Sequence, residues 1–327
     1  MNTEAQSLIN RFAGFLGVPR LTFALAVGVL LALLLLGAAF ADGRFTVGGP
    51  WGLWKIALEP TIIVYILGAS PLLQRRWMLA IDALRPLADR PELVEQAYTV
   101  SRRGEWAALM LGAAFSAWVT SSPQIEGRWL RVYDVASNAL MFSLMALVIY
   151  DGMVRTRRLS RVIRSGLHLD LFDHRLLTPL ARWGQSISLS FVGGACLSLL
   201  FQSSASLRTV QSLVIYSIVV LVSLTLFFTS VWGIHDALVA AQERELSIVR
   251  HHWFLARIEM KKKLAEGGQS NVASLYDPIV VLNAYERQIL AASTWPFNPK
   301  IVKELVVSLL APFLIYGLKI TIGLSGN

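Results

Sequence analysis

Four long blocks without a charged residue constrain this chain more than any other feature. A helix needs roughly 20 apolar residues to cross the ~30 Å hydrocarbon core of a bilayer, because each residue advances it by about 1.5 Å. The blocks, of 20 to 26 residues each, are 21–41, 106–125, 183–207 and 209–234. Only 16% of the 327 residues are charged, against about 25% in an ordinary soluble domain. The sequence therefore predicts a polytopic, all-α membrane protein.

Three weaker segments bring the predicted number of spans to seven. Residues 53–73 make a span if Glu59 is tolerated there, and 135–150 form an uncharged run of 16 residues between two aspartates. The last segment, 305–318, has 14 uncharged residues, a length that also suits a re-entrant or interfacial segment. The first apolar block is longer than the hydrophobic region of a signal peptide, so we expect it to be retained as a span.

The basic residues orient this bundle. With a cytoplasmic N-terminus and seven spans, 24 of the 30 Lys and Arg residues fall on the cytoplasmic side, as the positive-inside rule requires. We therefore predict the N-terminus inside and the C-terminus outside. The net charge of +9 is then an orientation signal, and the bilayer rather than nucleic acid is the expected partner.

The chain divides into three predicted parts. Residues 1–234 form a six-span bundle with two cytoplasmic amphipathic loops, 235–300 a cytoplasmic helical hairpin, and 301–327 a C-terminal transmembrane helix. Apolar residues recur every three or four positions from Leu238 to Leu264, which predicts a helix that continues the sixth span. The hairpin pairs its two helices under the membrane or contacts another subunit, and the two arrangements are compatible.

Glu59 is the most unusual polar residue of the predicted spans. A charge inside a bilayer is costly, so such residues usually face the bundle interior or a hydrated cavity. Lys55 lies one turn earlier, and Pro60 follows directly. A pore-vestibule or coupling acid is one interpretation, and an interfacial ion pair that fixes the helix is the other.

Further candidates for a pore or coupling site lie in the last three spans. The fifth and sixth spans are rich in hydroxyl and amide residues, including Gln202 and Gln211, which either pack helices together or line a hydrated path. The last span contains Pro312, Tyr316 and Lys319, so it is better placed at a bundle centre or on an oligomer axis than in lipid. A ring of Lys319 side chains at the outer mouth favours anions, whereas a single Lys319 can snorkel to the interface.

The hairpin region supplies candidates for an oligomer anchor, namely Leu246, Trp253, Trp295 and Phe297. No intrachain disulfide is possible, because Cys196 is the single cysteine. The segment HLDLFDH (168–174) has residue types that bind metals, but it lies in a basic amphipathic stretch, so no metal site is expected. We also expect no cofactor and no enzymatic activity, since the hydrolase, metalloprotease and phosphate-binding motifs are missing.

Two resemblances arise from these residues. The pieces GIHDALVAAQEREL (233–246) and STWPFNPKIVKELV (293–306) resemble multi-span bacterial membrane proteins without an assigned function, which implies a bacterial inner membrane. The layout of spans is similar to that of insect odorant and gustatory receptor channels, which are tetramers with the final span lining the pore. Their TYxxxxxQF-type signature has no counterpart in LVVSLLAPFLIYGLKI (305–320), so no residue role is transferred.

Three hypotheses follow. The first is a homo-oligomeric, channel-like protein with the last span near the pore axis, which passes a small ion or ligand. The second is a secondary transporter that uses Glu59 as its coupling acid. The third is a non-conducting membrane scaffold or sensor whose cytoplasmic helices bind partners.

Overall fold

The described part of the chain is entirely helical, as predicted. The computed structural model describes residues 8, 11, 14, 17–43, 56–98, 101–119, 127–165, 178–202, 209–265, 276–295 and 299–325. Within these ranges there are nine helices and no strands: α1 Arg20–Ala41, α2 Leu58–Leu84, α3 Pro91–Tyr98, α4 Arg102–Val119, α5 Arg128–Arg164, α6 Thr178–Phe201, α7 Val210–Ala265, α8 Tyr276–Ala291 and α9 Pro299–Ser325.

Among the described residues, four helices are long and apolar enough to cross a bilayer, by length and composition: α1, α5, α6 and the 214–262 part of α7. A shorter apolar stretch, Val306–Lys319, lies within α9. The polar and charged residues of α2 and the three charged residues in the first turn of α4 make these two helices less apolar. These long apolar helices are consistent with an integral membrane protein.

Several helices differ in extent from the predicted spans. α2 begins at Leu58, so Glu59 and Pro60 lie in its first turn, where the missing N–H of a proline costs nothing. The proline in the helix interior is Pro71. α5 has 37 residues, about 55 Å at 1.5 Å per residue, because the helical pattern continues through the basic residues after Asp151.

The core lies where α2, α5, α6 and α7 meet. Its largest cluster includes Trp77 and Leu84 of α2, Trp183 of α6 and Leu238 of α7, and the short helix α3 adds Val94. A second cluster joins α1 to α2 and α5. By contrast, much of α1 is exposed apolar surface, which suits a helix that faces lipid.

α7 is one continuous helix of 56 residues. Its later part pairs with α8: the Gln242 amide donates to the Ile289 carbonyl (2.8 Å), and the Tyr285 hydroxyl to the Glu245 carboxylate (3.0 Å). As the residue numbers rise along α7, those of their partners fall along α8, so the two helices form an antiparallel hairpin.

α9 packs along α6. The Gln185 amide donates to the Glu304 carboxylate (2.9 Å), and Lys319 Nζ donates to the carbonyls of Leu200 and Gln202 (2.8 Å each) at the C-terminal end of α6. Leu309 packs on the buried pair Phe227 and Val231 of α7. The opposite face of α9 is exposed and apolar, with side chains of Val306, Val307, Leu310, Phe313, Leu314 and Leu318.

Candidate functional site

A small cavity with both polar and apolar walls lies between α2, α5 and α6. Its volume is about 30 Å³, and its polar lining comes from Ser70, Gln74, Asp151, Arg155 and Trp183. By the usual measure of about 10–15 Å³ per water, this is room for about two water molecules. Apolar side chains of the same three helices form the remaining walls. A cavity with this lining, inside a bundle of apolar helices, is the candidate site.

Gln74 provides an amide to this cavity. Gln74 is only 3% exposed. Within the described part of the chain, neither its amide oxygen nor its amide nitrogen has a hydrogen-bond partner. Leaving a buried polar group without a partner costs about 1–3 kcal/mol. The fully buried Trp183 adds an indole Nε1–H that is likewise unpaired among the described residues.

Asp151 and Arg155 add a charge pair to the cavity. The Arg155 guanidinium donates to Asp151 Oδ2 at 3.3 Å, one turn apart on α5. Asp151 Oδ1 and Arg155 Nε are both buried and have no hydrogen-bond partner in the described residues. The pair thus neutralises its own charge and still presents one acceptor and one donor.

Two tryptophans hold Arg155 in place. Its guanidinium lies 5.8 Å from the ring centre of Trp77, within cation–π range, and Trp77 packs on Trp183 with ring centres 5.2 Å apart. Gly152 lies opposite the Ile187 side chain, where a Cβ would be 3.1 Å from Ile187 Cδ1. The site is therefore positioned by tight contact between α2, α5 and α6.

A second ion pair lies beside the first. Glu105 in the first turn of α4 has a fully buried side chain, which forms a salt bridge with Arg11 and accepts a hydrogen bond from the Leu8 backbone N–H (2.8 Å). The charge of Arg11 also interacts with that of Asp151. Residues of the N-terminal segment are thereby attached to the bundle near the cavity.

The hydroxyl groups of α6 and α7 largely bond one another or the backbone. Ser188 and Ser223 share a hydrogen bond of 2.8 Å, and Ser230 bonds Thr156 of α5 at 3.0 Å. A Cβ added at Gly184 would lie 3.1 Å from the Ser230 side chain, so α6 and α7 are in close contact at this point. These groups act in helix packing, which was one of the two interpretations of the polar composition.

The predicted outer site is separate from the cavity. Glu59 is buried (6% exposed) next to the cluster of Ile56, Leu130 and Tyr133, while Lys55 lies outside the described residues. Eleven positions of α2, about 16 Å along the helix, separate Glu59 from Ser70. The acid predicted from the sequence, Glu59, is therefore not the acid that lines the cavity, which is Asp151.

The other predicted pore residues do not meet in one place. The Gln202 carbonyl accepts a hydrogen bond from Lys319. In α9, Pro312 is buried and Tyr316 is half-buried. The Gln211 side chain lies outside the described residues. Lys319 thus has a structural contact within the chain, at the end of α6. Its place in a pore stays a prediction.

The predicted anchor residues lie within the hairpin or next to it. Leu246 packs against Ile289, and the Trp253 indole donates to the Glu286 carboxylate at 3.1 Å. Trp295 stacks on His235 with ring centres 4.2 Å apart, and Phe297 lies outside the described residues. These contacts are all within one chain.

Sequence reasoning missed Gln74, Asp151 and Arg155 as site residues. It placed Gln74 at the start of a cytoplasmic loop and counted Arg155 as an orientation signal. The available signal was the Asp-x-x-x-Arg spacing directly after an uncharged run of 16 residues, because residues four apart share a helix face. Among the described residues, no group of three metal-ligating side chains is present, and 168–174 lie outside them.

Comparison of the chain with models of known protein families, with curated proteins and with solved structures gave no match.

Proposed function

We propose that the protein is a membrane transport protein that binds a small polar solute inside the helix bundle of each protomer. The observation that carries this proposal is the cavity between α2, α5 and α6. Gln74, Asp151, Arg155 and Trp183, which line this cavity, carry five buried polar atoms that have no hydrogen-bond partner in the described chain. Polar and ionisable groups at such positions are expensive, and they commonly mark solute or ion pathways.

The proposed topology is seven spans, namely α1, α2, α4, α5, α6, α7 and α9, with the N-terminus inside. Arg75 and Arg76, next to Gln74, are exposed, as are Arg157, Arg161 and Arg164 at the end of α5. Basic side chains at this level suit a cytoplasmic interface. The cavity then lies in the cytoplasmic half of the bundle, in a bacterial inner membrane.

A carrier suits the proposed site better than an open pore through the protomer. Between Glu59 and Ser70, the inward face of α2 is apolar, and the buried Ile63 and Leu67 pack against Met141 and Phe142 of α5. This layer separates the buried acid near one end of α2 from the cavity near the other. Movement of α2 relative to α5 would then be required to pass a solute between the two.

Osmotic swelling of proteoliposomes tests this function with a panel of small solutes. Wild-type protein is expected to admit at least one of water, glycerol, urea, potassium formate and guanidinium chloride faster than protein-free vesicles do. Gln74→Leu should abolish that excess, whereas the matched change Gln242→Leu in the hairpin should retain it. If the wild type admits none of these faster than protein-free vesicles, transport through the cavity is refuted, and the scaffold or sensor hypothesis is favoured.

A homo-oligomeric channel is the second candidate, and the exposed apolar face of α9 favours it. Leu310, Phe313 and Leu314 are each more than half exposed, as a surface for lipid or for another subunit would be. The hairpin also exposes Ile248, Phe254 and Ile258. Leu314→Glu should reduce an oligomer's mass in detergent, and Ile248→Glu should do so if subunits meet at the hairpin. A monomeric mass for the wild type contradicts this candidate.

A further inference from the structure

The chemistry of the cavity identifies the class of its ligand. We infer that the cavity takes a small uncharged molecule that both donates and accepts hydrogen bonds, such as a simple amide. This inference rests on the proposed solute site and goes further by excluding charged solutes. It is argued from the charge, the hydrogen-bonding groups and the size of the site.

The charge of the lining is already balanced. Asp151 and Arg155 neutralise each other at 3.3 Å, the adjacent pair Arg11 and Glu105 does the same, and the remaining lining groups are neutral. A charged ligand would lose its hydration on entering and would meet no counter-charge that is not already paired. Such burial is strongly unfavourable, whereas an uncharged solute avoids it.

The hydrogen-bonding groups of the lining require both kinds of partner. Arg155 Nε, Trp183 Nε1 and Gln74 Nε2 are donors, while Gln74 Oε1 and Asp151 Oδ1 are acceptors. A ligand with only acceptors or only donors leaves part of this set unpaired. An amide presents a carbonyl oxygen and N–H groups on a compact frame, so it matches three donors and two acceptors.

The size of the cavity limits the ligand. A volume of about 30 Å³ corresponds to about two water molecules, so a ligand of roughly two or three non-hydrogen atoms fills it and one of about four is the upper limit. The apolar walls from Leu147, Val148 and Ile187 accept the non-polar part of such a molecule. Formamide and urea are suitable probes because each has a charged counterpart of nearly the same shape, formate and guanidinium.

Trp183 offers a direct readout, because it lines the cavity and its buried indole N–H has no hydrogen-bond partner among the described residues. The test is ¹⁵N–¹H NMR of the tryptophan indoles in the full chain in detergent, with the Trp183 signal assigned by Trp183→Phe. Formamide and urea, each titrated to 100 mM, are expected to shift this signal saturably. Formate and guanidinium at equal concentrations should give no saturable shift.

Variants make the result specific to the cavity. Gln74→Leu should abolish the saturable shift and should leave the unfolding temperature equal or higher, because it removes two unpaired buried atoms. The matched change Gln242→Leu should leave the shift intact. A saturable shift with a charged probe, or with neither neutral probe, overturns the ligand class. If the ligand class is wrong but the proteoliposomes still admit another solute faster than protein-free vesicles, the proposed transport function is retained. Failure of the ligand class is therefore distinguishable from failure of the transport function.

Discussion

The Arg155 guanidinium donates a hydrogen bond of 3.3 Å to the Asp151 carboxylate one turn earlier on α5. Both side chains are at least 85% buried, with exposed fractions of 5% for Arg155 and 15% for Asp151. Removing one partner of such a pair leaves an uncompensated buried charge, which typically costs about 3–5 kcal/mol. Arg155→Met should therefore lower the free energy of unfolding by about this amount, as measured by denaturant unfolding in detergent.

An exposed ion pair supplies the control. Arg85 and Glu95 are 3.8 Å apart with side chains 61% and 72% exposed, so Arg85→Gln should cost less than about 1 kcal/mol. The double variant Asp151→Asn with Arg155→Met should be more stable than Arg155→Met alone. Equal losses for Arg155→Met and Arg85→Gln would contradict a buried pair.

Glycine at position 112 allows α4 and α5 to approach closely. A Cβ there would lie 2.4 Å from the Phe142 carbonyl oxygen and 2.6 Å from Ser143 Cα, which are backbone atoms. Gly112→Ala must push the helices apart, and overpacking of this kind costs typically 1–3 kcal/mol. The variant should unfold at a lower temperature, as followed by circular dichroism.

Gly68 is the matched control for this change. It lies within α2, and a Cβ there would meet nothing within 4 Å. Gly68→Ala should therefore keep or raise the unfolding temperature, since alanine favours the helix by roughly 0.5–1 kcal/mol over glycine. A Gly112→Ala protein as stable as Gly68→Ala would show that α4 and α5 are farther apart.

The contact between Arg11 and Glu105 attaches the N-terminal segment to α4, and it is testable by a double-mutant cycle. Because the Glu105 side chain is fully buried, Arg11→Gln and Glu105→Gln should each destabilise the protein. Their combined effect should fall short of the sum by about 0.5–3 kcal/mol, as for contacting residues. Arg11→Gln combined with the distant Arg85→Gln should instead be additive, and additivity in both cycles would rule out the contact.

The Tyr98 hydroxyl on α3 donates a 2.8 Å hydrogen bond to Asp82. Burial, followed by this hydrogen bond and the Asp82 charge, raises the pKa of Tyr98 to about 12 from its ordinary value of 10.0. The folded state therefore holds the proton more tightly than the unfolded state does. The resulting stabilisation is complete below pH 10 and is lost as the pH rises from 10 towards 12.

Ultraviolet difference titration of the wild type against Tyr98→Phe isolates this one tyrosine among the eight. The difference curve should have its midpoint near pH 12, and Asp82→Asn should lower it. A midpoint near 10 in the wild type would mean that α3 does not pack on α2 as described.

The helical class and several helix extents were predictable from the sequence. The continuation of the sixth apolar block through Leu238 to Leu264 was expected, and α7 is continuous across this range. The start of α2 was harder to predict. The predicted span began at residue 53 and so placed Glu59 inside it, whereas the helix begins at Leu58, one residue before Glu59. Local composition fixes that a segment is helical, but a charge near its end shifts the boundary.

The candidate site was not predictable, because its members are far apart in the chain. Gln74, Asp151 and Trp183 meet only through the rotation of α2, α5 and α6 about their own axes, which is set by side-chain packing between helices. Sequence periodicity shows which residues share a face of one helix. It does not show which faces of different helices meet.

The sequence by itself determined that the chain is helical and has segments long and apolar enough to cross a membrane, because the length of an uncharged run is measured directly against the thickness of a bilayer. The tertiary structure alone decided which polar groups act together. A buried amide has functional meaning only when its neighbours are known, since partners decide whether it packs helices, as Ser188 does, or faces a cavity, as Gln74 does.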